Sequence, residues 1–569
     1  MPPLPRRALR SLWGRVWTLL PASALPLRLR LGGLARRILR RLPQLAREEL
    51  RDPADPATYR AWLARRPAPP VAPATPAGPL ITLLMPAEGA ATAAVPAAIE
   101  SLRRQRYPHW ELCLLTTEAP PALRAAAAAD PRLRLLPPGP AAGLGSGPLL
   151  AVIDAADRLA EHALQAVAAD WAAHPDTALA YTDEDGLDAA GLRHDPWFKP
   201  DFDAVLLEQQ DFVSRLGVVR RDAVAPADPP DAGLARRVAR RCGPGRIRHL
   251  AEVLHHRRRE AGPVPDWQPL SAAPPAPAPL VSVIVPTRDG AAMLEACAAG
   301  LLHRTDYPAL ELLILDNGSA APETFALFDR LRQDPRVRIL AAPGPFNYSA
   351  LNNRAAAEAR GEVLLLLNND IEVIGPGWLG EMVGLLQRPG IGAVGAKLLY
   401  PDGTLQHGGV VVGQGGVAGH YLPGAAPGAA GHAGSLVLVR EVSAATGACL
   451  ALRREAFAAV GGLDAGALAV AFNDIDLCLR LREAGWRILW TPLAELFHHE
   501  SASRGDDVTG AKARRFAGEI THMQRRWGAA LRRDPFANPN LDYRHPIPVL
   551  AEAPPPGLSP PRSGHPARA

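Results

Sequence analysis

Several residue types are scarce in this chain of 569 residues. Lysine occurs only at Lys199, Lys397 and Lys512, so arginine carries nearly all of the positive charge. The five cysteines have neither paired nor metal-type spacing, which argues against a disulfide framework and fits a reduced, cytoplasmic compartment. No stretch reaches the roughly 18 uninterrupted apolar residues that a membrane-spanning helix needs. The composition therefore favours a globular protein with two or three domains.

The positive charge is concentrated at the N-terminus. Residues 1–47 contain eleven arginines and no acidic residue, whereas the net charge of the whole chain is only +6. The segment "RLRLGGLARRILRRL" suits a basic helix on an anionic membrane surface, and a solvated basic extension explains it equally well. Arg15 interrupts the apolar region and disfavours a signal peptide. We expect a cytoplasmic protein, peripheral at the inner face of the membrane if this segment binds lipid.

Two parts of the chain resemble each other. The segment "LITLLMP" (80–86) corresponds to "LVSVIVP" (280–286), and "WELCLL" (110–115) corresponds to "LELLIL" (310–315). Such a period is the length of a whole domain, which indicates a domain duplication. Pro/Ala-rich linkers support this partition. The predicted organisation is a basic leader and linker at 1–77, domain one at 78–262, a linker at 263–279, domain two at 280–545 and a disordered tail at 546–569.

Domain two alternates predicted strands and helices. The strands lie at 280–286, 310–315, 336–340 and 363–367, and the helices at about 291–303, 322–332 and 349–359. This alternation predicts an α/β fold with a parallel sheet. Polar residues follow three strands, in "PTRDG", "DNGS" and "NND". Because ligands bind at the carboxyl ends of strands in such sheets, three polar strand ends at one edge favour a nucleotide pocket over three unrelated turns.

Several segments of domain two resemble motifs of family 2 glycosyltransferases. They are "VSVIVPTRDG", "LLILDNGS", "NYSALNNRAAAEARGEVLLLLNNDIEV", "VSAATGACLALRREAF", "FNDIDLCLRLREAGWRILWTP" and "HHESASRG". The resemblance covers about residues 278–530 and is closest to bacterial rhamnosyltransferase-type enzymes. It implies two tandem GT-A domains, that is, Rossmann-like nucleotide-diphospho-sugar transferase domains, of which the C-terminal one is complete.

The resemblance implies a site for a divalent cation, Mg²⁺ or Mn²⁺. The "NND" segment matches the DxD-type motif of the family, with Asp370 as the metal ligand and Asn368 and Asn369 on the donor side. Hard oxygen ligands suit these cations, which neutralise the charge on a departing diphosphate. His498 is the predicted second ligand, with His499 as the alternative, and two surface histidines after a strand remain a competing interpretation.

The donor pocket is predicted from the same resemblance. Pro286, Thr287 and Asp316 lie at the first two strand ends, and Arg504 could pair with the diphosphate because a guanidinium matches phosphate oxygens. The donor would be a UDP- or dTDP-linked sugar.

The acceptor side of the predicted site centres on "FNDIDLCLRLREAG". A hydroxyl acceptor must lose a proton as it attacks, and Asp474 matches the catalytic base of the family. Acidic residues placed at a helix N-terminus to match the dipole are the alternative explanation. Asp476 is expected to orient the motif or cap the helix. Thr446 and Gly447 would lie beside the acceptor, and His407 is expected to be structural.

Domain one resembles the same family more loosely and is predicted to be a degenerate copy. Asp154, Ala155, Ala156 and Asp157 replace the usual D-H-D-D, so Ala156 corresponds to the metal ligand Asp370. In the later motif "DAGLARRV", Gly233 replaces an acid. We expect that this copy does not transfer sugar, although Asp154 and Asp157 could form a weak site. The acid-rich "YTDEDGLDAAG" is interpreted as a hairpin turn.

The predicted function is inverting transfer of a sugar to a glycan or lipid-linked acceptor in cell-surface polysaccharide or O-antigen synthesis. The alternative is a non-catalytic scaffold that binds a glycan or a nucleotide. A nucleotidyltransferase would need a richer basic loop than "PTRDG" after its first strand. A nucleic-acid partner is not expected, because the basic leader lacks interleaved aromatic residues.

Overall fold

The computed structural model describes residues 55–65, 78–258, 267–499, 510–543 and 548–551. These residues form two compact units. The N-terminal unit comprises 55–65, 78–258, 267–268, 535–542 and 550–551, and the C-terminal unit comprises 269–499, 510–534, 543 and 548–549. Residues 535–542 thus belong to the N-terminal unit, whereas the sequence assigned them to domain two. The basic leader and Arg504 lie outside the described residues, as does most of the predicted tail.

Each unit is built on one large sheet. In the N-terminal unit the strands are β1 (Ile81–Pro86), β2 (Trp110–Leu115), β3 (Leu133–Leu136), β4 (Leu149–Val152), β5 (Arg158–Leu159), β6 (Leu179–Leu187), β7 (Arg193–Trp197), β8 (Val218–Arg220) and β9 (Ile247–Arg258). The α-helices of this unit are Pro56–Arg65, Val95–Arg103, Pro121–Ala129, Ala163–Ala173, Ala204–Gln209 and Leu234–Arg241.

The strands of the C-terminal unit begin with β10 (Val281–Thr287), β11 (Leu310–Asp316), β12 (Val337–Ala341), β13 (Val363–Leu367), β14 (Ile371–Val373), β15 (Ile391–Leu399) and β16 (Leu405–His407). They continue with β17 (Val410–Val412), β18 (Ala418–His420), β19 (Arg440–Glu441), β20 (Cys449–Arg453) and β21 (Arg487–His498). Two short strands follow along the chain: β22 (Leu541–Asp542), which belongs to the N-terminal unit, and β23 (Val549–Leu550), at the boundary of the two units. The α-helices of the C-terminal unit are Ala291–His303, Pro322–Leu331, Tyr348–Glu358, Trp378–Leu386, Arg454–Ala459, Asn473–Glu483 and Gly510–Trp527.

The two large sheets have corresponding strand orders. The order is β12-β11-β10-β13-β20-β15-β21-β14 in the C-terminal unit and β3-β2-β1-β4-β8-β6-β9-β5 in the N-terminal unit. In the C-terminal sheet β10, β11, β12 and β13 are parallel, and β20 runs antiparallel to β13. The fold is therefore α/β with a mixed sheet in each unit, and the parallel strands match the predicted ones to within two residues.

The apolar run that precedes "NND" forms a central strand. All five residues of β13 are buried, between β10 on one side and β20 on the other. A strand buried on both faces needs a continuous apolar sequence, and its polar continuation then emerges at the sheet edge. This arrangement positions the candidate site.

The acid-rich segment forms a strand followed by the turn of a hairpin. Strands β6 and β7 pair antiparallel and are joined by a turn at residues 188–191, as predicted, but the three successive acids lie in the strand and not in the turn. Asp183, Glu184 and Asp185 lie within β6 and are all fully buried. The acids have partners elsewhere in the chain: Lys199 Nζ lies 2.9 Å from a Glu184 oxygen, and Asp185 pairs with the Arg193 guanidinium and with His256 Nδ1, the latter at 2.6 Å. Buried carboxylates are tolerated when they are paired in this way, so the segment can form a strand.

Candidate functional site

The carboxyl ends of β10, β11 and β13 meet through hydrogen bonds. Asn369, after β13, donates its side-chain Nδ2 to Thr287 Oγ1 at 3.0 Å. The backbone N–H of Asn317, after β11, donates to the Thr287 carbonyl oxygen at 2.8 Å. Pro286 is buried within β10, where it pairs in register with Leu315. The predicted donor residues of these three strands thus share one edge.

The two loops at this edge are fixed to each other. Asp316 accepts the backbone N–H of Ser319 at 2.8 Å, and the Ser319 hydroxyl accepts the backbone N–H of Asp289, also at 2.8 Å. Asp289 has φ 53 and Gly290 has φ 70, so both occupy the left-handed region, which is uncommon for aspartate. The loop after β10 therefore has a defined shape at the edge of the sheet.

Asp370 and His498 form a buried pair beside this edge. Strand β14 pairs with β21 so that Ile371 lies opposite His498, which brings the preceding Asp370 next to the imidazole. His498 Nε2 lies 3.1 Å from Asp370 Oδ1. Burial alone would raise the pKa of Asp370, but the neighbouring His498 holds it below its ordinary value. The carboxylate is therefore kept ionised.

Gln406 determines which nitrogen of His498 carries a proton. Its Oε1 lies 2.6 Å from His498 Nδ1, and its Nε2 donates to the His498 carbonyl oxygen at 3.4 Å. An amide oxygen only accepts, so Nδ1 carries a proton and Nε2 is the nitrogen that can accept. Asn368 Nδ2 donates to His498 Nε2 at 3.2 Å, and Asp370 Oδ1, which lies 3.1 Å from the same nitrogen, is buried and has no hydrogen-bond partner within the described part of the chain. A cation bound between Asp370 Oδ1 and His498 Nε2 would pair with both atoms in place of the Asn368 amide.

These two side chains fit a divalent cation that has further ligands. A carboxylate oxygen and an imidazole nitrogen are ligands that Mn²⁺ accepts, and the position of His498 is fixed by its contact with Gln406. Among the residues that the structure describes, no group of three or more His, Cys, Asp or Glu side chains could hold a metal ion. Asp370 and His498 would thus supply part of the coordination sphere, and oxygens of a bound diphosphate suit the remainder.

The predicted base is linked to the same strand end through a short loop. Asp474 accepts the backbone N–H of Gly447 on Oδ2 at 2.8 Å, and the Tyr348 hydroxyl donates to the Gly447 carbonyl oxygen at 2.8 Å. The next residue, Ala448, accepts the backbone N–H of Asn368 at 3.0 Å. Two consecutive loop residues therefore join the Asp474 carboxylate to the start of the "NND" segment.

The helix that carries Asp474 begins at an unusual backbone position. Phe472, directly before the helix Asn473–Glu483, has φ 60 and stacks on Phe516 with ring centroids 5.4 Å apart. A bulky residue in the left-handed region costs of order 1–3 kcal/mol, and such outliers cluster at functional sites. Asp476 is fully buried, accepts Arg480 Nε at 2.8 Å and accepts the Trp527 ring N–H at 2.9 Å. It stabilises the helix and its packing, in line with its predicted orienting role.

Thr446 lies in the loop before β20, beside a pair of histidines. Its backbone N–H faces His407 Nε2 at 3.4 Å. His407 is fully buried, and its Nδ1 lies 2.8 Å from His420 Nδ1. Burial and the neighbouring His420 lower the pKa of His407 well below its ordinary value. A neutral, buried imidazole agrees with the structural role expected for His407.

The geometry separates the two adjacent histidines. His499 Nε2 lies 3.0 Å from a Glu372 oxygen and its side chain is partly exposed, so His498 is the one beside Asp370. Sequence reasoning missed Gln406 and Tyr348, which hold His498 and Gly447. No sequence signal marks Gln406 apart from its position next to His407, because its partner lies 92 residues away.

Known proteins similar to this chain include bacterial relatives of several lengths. An uncharacterised protein, y4gI, of Sinorhizobium fredii (strain NBRC 101917 / NGR234) is 41% identical over 526 residues, which are 81% of this chain. The O-antigen biosynthesis protein RfbC of Myxococcus xanthus is 38% identical over 491 residues, which are 75% of this chain. The chain spans only 57% and 38% of the length of these two relatives.

The family follows from two further comparisons. The model of glycosyl transferase family 2 matches residues 282–461. The N-acetylglucosaminyl-diphospho-decaprenol L-rhamnosyltransferase of Mycobacterium tuberculosis (strain CDC 1551 / Oshkosh) is 30% identical over 247 residues, which are 40% of this chain and 78% of that relative. This chain belongs to glycosyltransferase family 2. The family match includes Asp370 and Gly447 and ends before Asp474 and His498, which lie in the same unit of this glycosyltransferase.

No helix in the described part of this glycosyltransferase is both long enough and apolar enough to cross a membrane.

Proposed function

We propose that the C-terminal unit is an inverting glycosyltransferase that uses a nucleotide-activated sugar and a divalent cation. One observation carries the proposal: Gly447 N–H binds the Asp474 carboxylate, and the next residue, Ala448, accepts the N–H of Asn368, two residues before Asp370. A cation ligand and a proton acceptor linked in this way are what transfer from a diphosphate to a hydroxyl requires.

The donor would bind at the edge where β10, β11 and β13 end. Thr287, Asp316 and Asn369 are held in a hydrogen-bonded edge that suits a nucleotide, and Asn368 and Asp370 follow at the diphosphate. Bound there by Asp370 and His498, Mn²⁺ or Mg²⁺ would supply positive charge to the leaving diphosphate. Arg504 remains a proposed diphosphate contact. A UDP- or dTDP-linked sugar is the proposed donor.

Asp474 is the proposed base for the transfer step. Its carboxylate takes the proton from the acceptor hydroxyl while the hydroxyl oxygen forms a bond to the anomeric carbon. The bond from the anomeric carbon to the phosphate oxygen breaks, and the nucleoside diphosphate leaves with that electron pair. A single displacement of this kind inverts the anomeric configuration. Gly447 and Thr446 line the acceptor side, where the Gly447 N–H holds Asp474 in place.

The relatives support a role in the bacterial cell envelope. The printed name of the Myxococcus relative refers to O-antigen biosynthesis, and that of the Mycobacterium relative refers to rhamnosyl transfer involving a diphospho-decaprenol. We therefore propose a hexosyl or rhamnosyl transfer to a glycan or lipid-linked acceptor in polysaccharide or O-antigen synthesis. A basic N-terminus on the membrane surface would suit a lipid-linked acceptor.

A donor panel tests this function. Release of nucleoside diphosphate from UDP-, dTDP- and GDP-sugars would be measured with Mn²⁺ or Mg²⁺, for the purified chain and for Asp370→Ala, Asp474→Ala and Asp154→Ala. We expect metal-dependent turnover of one donor that is lost in the first two variants and kept in the third. Nuclear magnetic resonance of the product should show an inverted anomeric centre. Metal-dependent nucleotide binding without turnover in the presence of a glycan acceptor pool would favour a non-catalytic scaffold.

A further inference from the structure

The N-terminal unit contains a counterpart of the Asp370–His498 pair. Asp157 immediately precedes β5, just as Asp370 immediately precedes β14. Strand β5 pairs with β9 and β14 pairs with β21, which are corresponding strands of the two sheets. Asp157 Oδ2 lies 3.0 Å from His255 Nε2, close to the 3.1 Å between Asp370 and His498. The N-terminal unit thus retains a buried acid–histidine pair at this sheet edge.

The loop that carries Asp157 is one residue longer than its counterpart. Val152 of β4 pairs with Leu84 of β1, and Leu366 of β13 pairs with Ile284 of β10. Since Leu84 and Ile284 occupy corresponding positions in β1 and β10, Val152 corresponds to Leu366. Counted from them, Ala156 is level with Asp370, as the sequence predicted. Strand β5 nevertheless begins one residue later than β14, and Asp157 takes the place directly before the strand. The acid was therefore not lost with Ala156 but lies one residue further along the chain.

The two pairs differ in their partners. His498 Nδ1 contacts Gln406 Oε1 at 2.6 Å, whereas His255 Nδ1 is buried without a hydrogen-bond partner within the described residues. Arg215 Nη1 donates to Asp157 Oδ2 at 3.0 Å, whereas Asp370 Oδ1 has no hydrogen-bond partner within the described residues. The strand register explains the difference. Arg215 lies three residues before Val218 of β8, and Ala448 lies three residues before the corresponding residue of β20. A guanidinium thus stands where the C-terminal unit has a methyl group.

This contact places a fixed cation on the acid. The side chain of Asp157 is 8% exposed and that of Arg215 is 47% exposed, so the guanidinium reaches the acid from the solvent side. Burial alone would raise the pKa of Asp157, but His255 and Arg215 hold it below its ordinary value. The Asp157 carboxylate therefore has the Arg215 guanidinium, the His255 imidazole and a backbone N–H of Arg258 beside it, and Arg158 Nη1 donates to the Asp157 carbonyl oxygen at 2.7 Å. A divalent ion that approached the carboxylate would meet repulsion from the Arg215 guanidinium.

We propose that Arg215 takes the place of a divalent cation in the N-terminal unit. With Arg215 present, this unit binds no metal, and removal of the guanidinium exposes a latent cation site on Asp157 and His255. The metal requirement of the whole protein then originates in the C-terminal unit alone. The inference rests on the proposed function only in taking Asp370 and His498 as the working metal ligands.

Affinity cleavage of the full chain tests this proposal. Fe²⁺ accepts the same oxygen and nitrogen ligands as Mn²⁺ and binds at least as tightly. With ascorbate and oxygen it generates radicals that cut the backbone near the bound ion, and mass spectrometry locates the cuts. In the unaltered chain we expect cuts near residue 370 and none near residue 157. In Arg215→Ala we expect the cuts near residue 370 together with additional cuts near residue 157. The double variant Arg215→Ala/Asp157→Asn should lose these additional cuts.

Two controls keep the result interpretable. Arg215→Gln keeps most of the side-chain volume without the charge and should behave as Arg215→Ala, whereas Arg220→Ala removes a guanidinium that pairs with Asp222 instead and should add no cut. Cuts near residue 157 in the unaltered chain would overturn the proposal, as would their absence in folded Arg215→Ala and Arg215→Gln. Absence of cuts near residue 370 would count against the metal site of the proposed function. The comparison of cuts near residue 157 between the variants would still test the role of Arg215.

Discussion

At the residue scale, the candidate site depends on side chains that hold the reactive ones. Asp370 and Asp474 contribute charge, and Gln406 and Gly447 fix the groups next to them. The residues expected from the sequence are those whose chemical type is required by the reaction. Their supporting residues could not be predicted, because an amide or a glycine has many uses and only its contacts identify one.

Replacement of Gln406 tests its role as a positioning residue. In Gln406→Leu, His498 Nδ1 loses its acceptor, so the ring orientation and the lone pair on Nε2 are no longer fixed. The Mn²⁺ concentration for half-maximal activity should rise about 10–100-fold, the usual effect of removing a group behind a metal-bound histidine. Gln406→Glu retains an acceptor and should need less Mn²⁺ than Gln406→Leu. An unchanged Mn²⁺ requirement in Gln406→Leu would show that Gln406 does not position His498 for metal binding.

Asp476 should prove structural although it lies two residues from the proposed base. Asp476→Asn removes the negative charge that pairs with the nearly buried Arg480 guanidinium, which should lower the free energy of unfolding by about 3 kcal/mol. Metal-dependent nucleotide binding should be retained. Urea unfolding would measure the loss, with the exposed turn residue in Asp402→Asn as a control that changes stability by at most about 0.5 kcal/mol. Unchanged stability combined with lost turnover would instead assign Asp476 to the chemistry.

At the element scale, both units use a buried glutamate to fix the start of a central strand. Glu111 on β2 accepts the Thr82 hydroxyl at 2.7 Å and backbone N–H groups of Ser146 and Gly147 just before β4. Glu311 on β11 accepts the Ser282 hydroxyl at 2.6 Å and a backbone N–H just before β13. Burial opposes ionisation of Glu111, but the Ser146 and Thr82 donors hold its pKa at about 2, below the ordinary 4.5.

This pKa predicts a defined pH dependence. A carboxylate whose pKa is lowered by folding stabilises the folded state fully when the pH is above its pKa in the unfolded chain. That stabilisation is lost as the pH falls toward its pKa in the folded protein. The stability difference between the unaltered chain and Glu111→Gln should therefore be largest at neutral pH. It should shrink as the pH falls from 4.5 towards 2. Urea unfolding at a series of pH values would show this, and a difference that did not change with pH would contradict it.

Elements were predictable where hydrophobic pattern and local chemistry agree. The four parallel strands β10 to β13 and the three helices between them were predicted to within two residues, because continuous apolar runs alternate there with helical stretches. Strand β6 was not predicted, because three successive acids form a strand only when cationic partners such as Lys199 and Arg193 pair with them. The position of Asp157 also escaped prediction, because one additional loop residue leaves no mark in a single sequence.

At the scale of the whole molecule, the chain returns to its first unit after completing the second. Asn538 donates Nδ2 to Asp183 Oδ2 at 2.8 Å and Asn540 donates Nδ2 to the same oxygen at 3.0 Å, both within the N-terminal unit. Asp183 is fully buried on β6. A segment near the end of the sequence therefore helps to satisfy a buried carboxylate more than 350 residues earlier.

Loss of these amides should affect one unit only. In Asn538→Ala/Asn540→Ala, Asp183 loses two side-chain donors, and each lost hydrogen bond to a buried charge should cost about 1.5–3 kcal/mol. Hydrogen exchange should accelerate in β6 and β9, while β10, β11 and β13 serve as an internal reference that does not change. Equal acceleration in both units, or none in either, would contradict the assignment of residues 535–542 to the N-terminal unit.

The central claim is that cation binding and proton removal are separate tasks of Asp370 and Asp474 in the C-terminal unit. The most direct test measures calorimetric binding of the nucleoside diphosphate with and without Mn²⁺, together with turnover, for the unaltered chain, Asp370→Ala and Asp474→Asn. Asp474→Asn should keep Mn²⁺-enhanced binding and lose about 10²–10⁴-fold in turnover, the usual contribution of a general base. Asp370→Ala should lose both the Mn²⁺-enhanced binding of the nucleoside diphosphate and the turnover. Turnover retained in Asp474→Asn, or Mn²⁺-enhanced binding retained in Asp370→Ala, would contradict the account.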